Sequence, residues 1–481
     1  MWRSVMMAVL LWPGLVSASI AWVGEYEQAR KQAATEGLPL MVYFDARWCS
    51  WCHRYQEETL SDPRVSEYLR RHFLAVKVDW DARPDLVRHY GANGLPYTVV
   101  LSPDGSLRSR FLGLVEVDTL LARLQDERRG RDDAALRLAD FPALRPQGVD
   151  QAAWQAFQAE FVDYLERLWW PPSGGLHGLF DTGLSLKWPQ PQTGMWLEEK
   201  GLWLERAASS RASELARLWD RDDGGFFNYA EPRAEHLETS KLAPENAWMV
   251  AWLAGAPERE GRIAAASTVA MLRTLSSERG GLYQARQADA AYYALPATER
   301  EQAPPVDDIV RADGNGSVVW ALACAAQRGQ AEALELASEV MDGVLGNLWR
   351  EGRLHHARRG ERLGSQVWPE DSLYLLAAAQ ALAPLEPERD WTGRVTPMLD
   401  QMAAWATQAE REGEALHSDR AAILAWVAVQ PAYRQAFGDR VVPWAIGQLE
   451  LGAETLPDRL IPGLAAWQRY LGDDERPTGC F

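Results

Sequence analysis

The spacing of apolar and polar residues divides the chain into two stretches of different character. Between Trp22 and about Arg129, short apolar runs alternate with helical patterns. Glu25 to Glu36 has the spacing of an amphipathic helix and ends at Gly37 and Pro39, two helix terminators. Leu40-Met41-Val42-Tyr43-Phe44 and Phe73-Leu74-Ala75-Val76-Lys77-Val78-Asp79 are short runs that predict strands. Tyr97–Leu101 and Leu107–Phe111 flank the turn signal Pro103-Asp104-Gly105 and predict a hairpin. Val117 to Arg128 predicts a closing helix. The order of elements, with a central βαβ unit, predicts an α/β sandwich over residues 19–130.

Residues 131–150 are charged and then proline-bearing (Pro142, Pro146), as expected of a linker. From 151 to 481 the helical period dominates. Helices are predicted at Trp154–Trp169, Met195–Trp219, Glu245–Ala254, Arg262–Leu275, Gly316–Ala326, Ala331–Leu348, Asp371–Leu382, Val395–Glu410 and Arg420–Val429, with shorter ones near Pro443–Leu451 and Ile461–Leu471. Gly174-Gly175-Leu176, Gly224-Gly225-Phe226, Gly280-Gly281-Leu282, Gly352-Arg353-Leu354 and Gly413-Glu414-Ala415-Leu416 recur between them, roughly every 50 to 70 residues. A helix hairpin and a glycine loop, repeated five or six times, predict a closed ring of paired helices around a funnel.

Composition changes this picture in three places. Residues 1–18 combine Arg3, an apolar stretch broken by Pro13-Gly14, and the small-residue site Val16-Ser17-Ala18, the pattern of a secretory signal. The expected location is therefore periplasmic or secreted, with no stable membrane insertion once the signal is cleaved. A net charge of −17 argues against nucleic acid and anionic membranes as partners. Four cysteines in 481 residues are too few to staple a scaffold, so their roles are sought individually. Most of the 23 tryptophans are expected in the core, but an excess of aromatics is also what a cleft for a glycan or peptide uses.

The chemistry concentrates in Trp48-Cys49-Ser50-Trp51-Cys52-His53, between a strand and a helix. A thiol at a helix N-terminus is stabilised as thiolate, and a second thiol one turn on can attack a mixed disulfide. This is the signature of a thioredoxin-type site, with Cys49 as nucleophile and Cys52 as resolving thiol. The Cys49 thiol is expected to titrate below the ordinary value of about 8.5. Gly94-Leu95-Pro96-Tyr97-Thr98 stands where such a fold carries a cis-proline, so Trp48, Trp51, Leu95 and Pro96 are the expected substrate wall. No cofactor beyond the Cys49–Cys52 disulfide is implied. Two alternatives stay open: Cys-x-x-Cys-His is also a haem attachment pattern, and two cysteines at a helix start can be structural.

Cys49-Ser50-Trp51-Cys52-His53, with Val76-Lys77-Val78-Asp79-Trp80-Asp81-Ala82-Arg83-Pro84-Asp85, resembles the CHWCH and VKVDxxxRPD motifs of the spermatogenesis-associated protein 20 family. The resemblance implies a multidomain protein: an N-terminal α/β thioredoxin fold followed by an all-α (α/α) toroid of the six-hairpin glycosidase type. Asp222 to Tyr229 is similar to the family's GGFxRY segment. Lys241-Leu242 with Glu245-Asn246-Ala247 resembles EKMLYDNA, and Asp307-Asp308 with Asn315-Gly316 resembles DDK…WNG. The chain is short for the family, which leaves room for trimmed hairpins. It departs from the motif at Ser50, where the family has His. Tyr43 stands where thioredoxins bury a proton-relaying Asp; Asp45 is either its substitute or a solvated loop carboxylate.

Rings of this kind host glycosidases and epimerases. Glycoside hydrolysis needs one carboxylic acid and one carboxylate at a set separation. Asp222, Asp223, Glu245, Asp307, Asp308, Glu370 and Asp371 offer candidates without a unique pair, and His236, His355 and His356 are available as acid or base. Trp188, Asp223, Glu245, Asp308 and Trp368 are the expected wall of an aromatic-acidic cavity. No spaced metal motif is present, so no metal site is expected. Cys324 reads as core and Cys480 as an exposed thiol. The resulting reading is an exported thiol–disulfide oxidoreductase acting on protein thiols and disulfides with an electron donor. Its toroid binds a partner or glycan, or acts as scaffold. The alternatives are a carbohydrate-active enzyme with an auxiliary thioredoxin domain, and an interaction module with a vestigial redox site.

Overall fold

The computed structural model describes residues 19–92, 94–128, 143–170, 174–176, 190–231, 236–452, 455–472 and 480–481. The expected signal at 1–18, most of the expected linker and Trp188 lie outside them. The chain divides into two compact units, an α/β domain and a helical domain.

The N-terminal stretch 19–128 contains β1 (Trp22–Val23), α1 (Tyr26–Glu36), β2 (Leu40–Asp45), α2 (Ser50–Tyr55), α3 (Pro63–His72), β3 (Leu74–Asp79), α4 (Pro84–His89), β4 (Tyr97–Leu101), β5 (Leu107–Leu112) and α5 (Val117–Arg128). Its sheet has the order β1-β3-β2-β4-β5. β2 runs parallel to β3, with Leu40 opposite Leu74, and antiparallel to β4, with Phe44 opposite Tyr97. Every residue of β2 is buried, as a central strand covered on both faces requires. α1 stops where Gly37 takes a left-handed conformation at φ 66°, which costs a glycine nothing. α3 starts at Asp62, whose carboxylate accepts the Arg64 N–H, with Pro63 in the first turn. β1 had no counterpart in the sequence reading, because two residues are too few to show a period.

The helical domain contains α6 (Gln151–Leu168), α7 (Pro191–Glu199), α8 (Leu204–Arg217), α9 (Ala243–Ala254), α10 (Arg259–Arg273), α11 (Ala290–Ala294), α12 (Ala312–Gln327), α13 (Glu332–Leu348), α14 (Pro369–Leu382), α15 (Trp391–Arg394), α16 (Thr396–Glu412), α17 (Ser418–Val429), α18 (Arg434–Gly447) and α19 (Pro457–Leu471). Among the described residues, α7, α9, α12, α14, α17 and α19 each pack on the next, and α19 returns to α7. They form a closed inner ring, flanked by α6, α8, α10, α13, α16 and α18. Among the described residues these make six helix pairs. The inner helices are buried nearly all round, α9 from Asn246 to Ala254 and α17 from Ala421 to Val429. An outer helix such as α10 buries one stripe. Close inner packing depends on small residues: a Cβ at Gly316 of α12 would stand 2.9 Å from the backbone of Tyr374 in α14.

The single helix expected over Met195–Trp219 is two helices. They are separated at Gly201 and Trp203, whose φ values are +65° and +47°. One isolated glycine does not interrupt the apolar period enough to reveal the break.

The repeated glycine loops have a common physical basis. Gly224 and Gly225 both have positive φ, and the next residue, Phe226, is held by Asn246 of α9. Its N–H donates to Asn246 Oδ1 at 2.6 Å, and Asn246 Nδ2 donates to its carbonyl at 3.1 Å. Gly280 and Gly281 repeat this, with Leu282 held by Asn315 of α12 at 2.6 and 2.9 Å. Each buried asparagine thus satisfies loop backbone that would otherwise lack partners.

Candidate functional site

The chain leaves β2 at Asp45 and enters α2 at Ser50, which places Cys49 immediately before a helix and Cys52 within its first turn. α2 continues as a π-helical turn over Gln56–Leu60. Cys49 and Cys52 are joined by a disulfide. Cys52 is fully buried, whereas Cys49 keeps a residual exposure of 4%. Both cysteines are thus buried, Cys49 the less completely. The Tyr43 hydroxyl donates to the Cys52 carbonyl at 3.3 Å, tying the start of α2 to the central strand.

The expected substrate wall lies around this junction. Trp48 is buried, and Trp51 is half-buried with the Arg54 guanidinium 4.6 Å above its ring. The Leu95–Pro96 bond is cis. Because Phe44 pairs with Tyr97, Pro96 sits at the C-terminal end of β2, the end that leads into Cys49. The Pro96 carbonyl accepts the Gly113 N–H at 2.8 Å.

Asp45 is not a solvated loop carboxylate. It is the last residue of β2 and 9% exposed, held by Lys77 Nζ at 2.6 Å and by Gln56 Nε2 at 3.3 Å. Burial pushes its carboxyl up, against the pull of the Lys77 ammonium. Tyr43 is itself buried, and burial drives its phenol far above the ordinary range, so it acts only as a neutral donor.

The ring's candidate residues fall into different settings. Asp223 is exposed and lies 3.2 Å from Arg300; Glu245 is exposed in the first turn of α9. Asp308 is half-exposed and pairs with Arg359 at 2.7 Å. Trp368 is half-buried at the N-cap of α14, and Trp188 lies outside the described residues. Asp307 and Glu370 are buried, the latter 3.1 Å from Arg420. His355 is half-buried, its Nδ1 2.7 Å from the Gly364 carbonyl.

His356 and Asp371 form a pair that sequence reasoning kept apart. His356 Nδ1 lies 2.9 Å from Asp371 Oδ1, with both side chains buried. Burial opposes the charged ring, but Asp371 and Asp313 outweigh it and raise His356 to about 9. Burial raises Asp371 to about 6 against the attraction of His356. Asp313, absent from the sequence candidates, is gripped by Arg311 at 3.0 and 2.5 Å. Asp313, His356 and Asp371 each bring one donor atom within 4.8 Å of the others, close enough to hold a cation. Two carboxylates, one imidazolium and one guanidinium already balance in charge there.

A second network also escaped the sequence reading. The Lys241 side chain has no exposure. It donates to Asp220 Oδ2 at 2.7 Å and to the Gly224 carbonyl at 2.6 Å, and lies over the rings of Phe227 and Tyr293 at 5.2 and 4.8 Å. Burial lowers its ammonium pKa, opposed by Asp220. The paired glycines of the loop and the place of Lys241 in the motif-like segment before Glu245 were its signals in the sequence, without the ion pair.

Residues 26–128 match the model of a thioredoxin-like domain. Human spermatogenesis-associated protein 20 is 22% identical over 344 residues, covering 60% of this chain and 42% of its own length. The thiol:disulfide interchange protein DsbD of Salmonella typhimurium is 34% identical over 113 residues, 22% of this chain and 20% of its own length. The match thus spans less than half of either relative. Among solved structures, cellobiose 2-epimerase from Spirochaeta thermophila aligns with 66% of this chain and 98% of its own, at 14% identity and a TM-score of 0.49. The chain carries a thioredoxin-like domain with a Cys49–Cys52 disulfide, ahead of a helical toroid, and resembles the spermatogenesis-associated protein 20 proteins in sequence over 60% of its length.

Proposed function

We propose that the chain is a thiol–disulfide oxidoreductase whose reacting atoms are the sulfurs of Cys49 and Cys52. The observation that carries this reading is their disulfide at the junction of a buried central strand and a helix, in a thioredoxin-like domain. In the reducing direction the Cys49 thiolate attacks a substrate disulfide. One substrate sulfur leaves as thiolate, and a mixed disulfide forms on Cys49. Cys52 then loses its proton and attacks Cys49, which closes the Cys49–Cys52 bond and releases the second substrate thiol. An electron donor restores the dithiol, and the reverse sequence oxidises a substrate. Asp45 under the active-site helix is the proton acceptor for Cys52. Trp48, Trp51 and the Leu95–Pro96 segment position an extended chain carrying the substrate sulfur.

The α/β surround of the motif favours this chemistry over haem attachment. The domain works after export, in the periplasm or outside the cell, in keeping with the signal-like residues 1–18. Among the described residues no helix is long and apolar enough to cross a membrane. The toroid serves as scaffold or as a binding surface for a partner or glycan. A carbohydrate-active role is less supported, since Asp308, Glu370 and Asp371 are each tied to a cationic side chain.

The test is covalent trapping. Cys52→Ser should accumulate partners on Cys49 as adducts that reductant releases, and Cys49→Ser should abolish both turnover and trapping. Equal, slow alkylation of both thiols in the reduced protein, with no adduct from Cys52→Ser, would overturn the proposal.

A further inference from the structure

Cys324 and Cys480 lie outside the exchange site and are unbridged. Cys324 is in the last turn of α12 and fully buried. Cys480 belongs to no helix, yet it is only 4% exposed, which corrects the expectation of a surface thiol. Burial, and the nearby Cys480 thiol after it, raise the Cys324 thiol.

Phe481 accounts for this placement. Its ring stacks on Trp248, with centroids 5.3 Å apart and planes at 19°. It meets Trp320 at 5.7 Å and Trp426 at 6.2 Å, and Trp320 and Trp426 stack on each other at 5.9 Å. These tryptophans come from α9, α12 and α17, three helices of the inner ring. Trp320 precedes Cys324 by one turn on the same helix, so the aromatic cluster that seats Phe481 also aligns Cys480 with Cys324.

We propose that Cys324 and Cys480 form a second disulfide that latches Cys480–Phe481 into the aromatic cluster of the inner ring. Phe481 is seated on Trp320, one turn before Cys324, so the two thiols are brought to the same part of the ring, the first condition for a disulfide. Cys480 reacts first, because Cys324 is locked inside a helix and burial holds its thiol well above the ordinary range. With a low-molecular-weight disulfide such as oxidised glutathione, Cys480 thiolate attacks one sulfur and forms a mixed disulfide. One glutathione thiolate leaves and takes up the Cys480 proton. Cys324 thiolate then attacks the Cys480 sulfur, and the second glutathione leaves with the Cys324 proton. Two electrons pass from the thiol pair to glutathione disulfide, which becomes two glutathione molecules.

The test uses the full chain carrying Cys49→Ser and Cys52→Ser, so its outcome is independent of the exchange reading. The folded protein is incubated with oxidised glutathione, alkylated and mapped by mass spectrometry without reduction. A linked Cys324–Cys480 peptide, loss of both free thiols and a higher melting temperature are expected, all reversed by dithiothreitol. The rise in melting temperature follows from closing a long loop in the unfolded chain and should be absent in Cys480→Ser. Phe481→Ala should lower the yield of linked peptide several-fold. Should the double serine variant fold poorly, mapping of the wild-type chain must show the same linked peptide. A stable glutathione adduct on Cys480, covalent dimers through Cys480, or an unchanged thiol pair would overturn the proposal. An undiminished yield from Phe481→Ala would overturn the aligning role of the aromatic cluster.

Discussion

Replacing His356 with Asn removes a cation from between the buried Asp371 carboxylate and the partly buried Asp313 carboxylate, and the structure sets the size of the effect. A pKa of about 9 against 6.5 for a free imidazole means that the folded state prefers the charged ring by about 3 kcal/mol. The folded value lies above the unfolded one. This contribution is therefore complete below about pH 6.5 and is lost as pH rises through about 9. Asp371 works in the opposite sense. Its rise from 3.8 to about 6 means that burying it ionised costs about 3 kcal/mol above pH 6, a cost absent in acid. Losing one member of such a pair is expensive, whereas removing both together need not be, the usual behaviour of buried ion pairs.

Three outcomes follow for urea unfolding monitored by tryptophan fluorescence. His356→Asn should cost about 3 kcal/mol at pH 7. The cost should shrink to about 1 kcal/mol by pH 10, where wild-type His356 retains only a neutral hydrogen bond. The double variant His356→Leu/Asp371→Leu should fall within about 1 kcal/mol of wild type at pH 7, because neither charge is left stranded. A penalty that is the same at both pH values, or a double variant as unstable as the single one, would refute the reasoning.

Lys241→Met should destabilise the ring by about 3–5 kcal/mol in thermal or urea melts, since it leaves Asp220 buried without its ammonium partner; a loss under 1 kcal/mol would mean that Arg300, 3.5 Å from Asp220, compensates. Asn315→Ala strands the N–H and carbonyl of Leu282, at about 1–3 kcal/mol each, and Asn246→Ala should cost a similar amount at Phe226. Clearly unequal costs would show that the two loops are not equivalent units. Asp45→Asn should slow thiol–disulfide exchange about 100-fold and flatten its pH profile, with stability unchanged or slightly raised, because a buried carboxylate is replaced by a neutral isostere. Unaltered exchange kinetics would remove Asp45 from the proton path.

Local pattern made much of this molecule legible. The all-apolar run of β2, the Gly37 stop, the Pro103-Asp104-Gly105 hairpin and the closing α5 depend on sterics and periodicity within a few residues of chain, and each stands where its pattern lies. So do the position of the Cys49–Cys52 pair before α2 and the glycine repeat that marks the ring's hairpins. Other features exist only once distant segments meet. β1 is a strand because Trp22 and Val23 pair with Ala75 and Val76. Asp45 is withdrawn from solvent by Gln56 and Lys77. His356 becomes cationic because α12 and α14 bring Asp313 and Asp371 to it, and Cys480 is buried because three inner helices converge on Phe481. A residue's neighbours in sequence determine its backbone conformation, but burial and charge are properties of the space around it, which only the packed ring and sheet define.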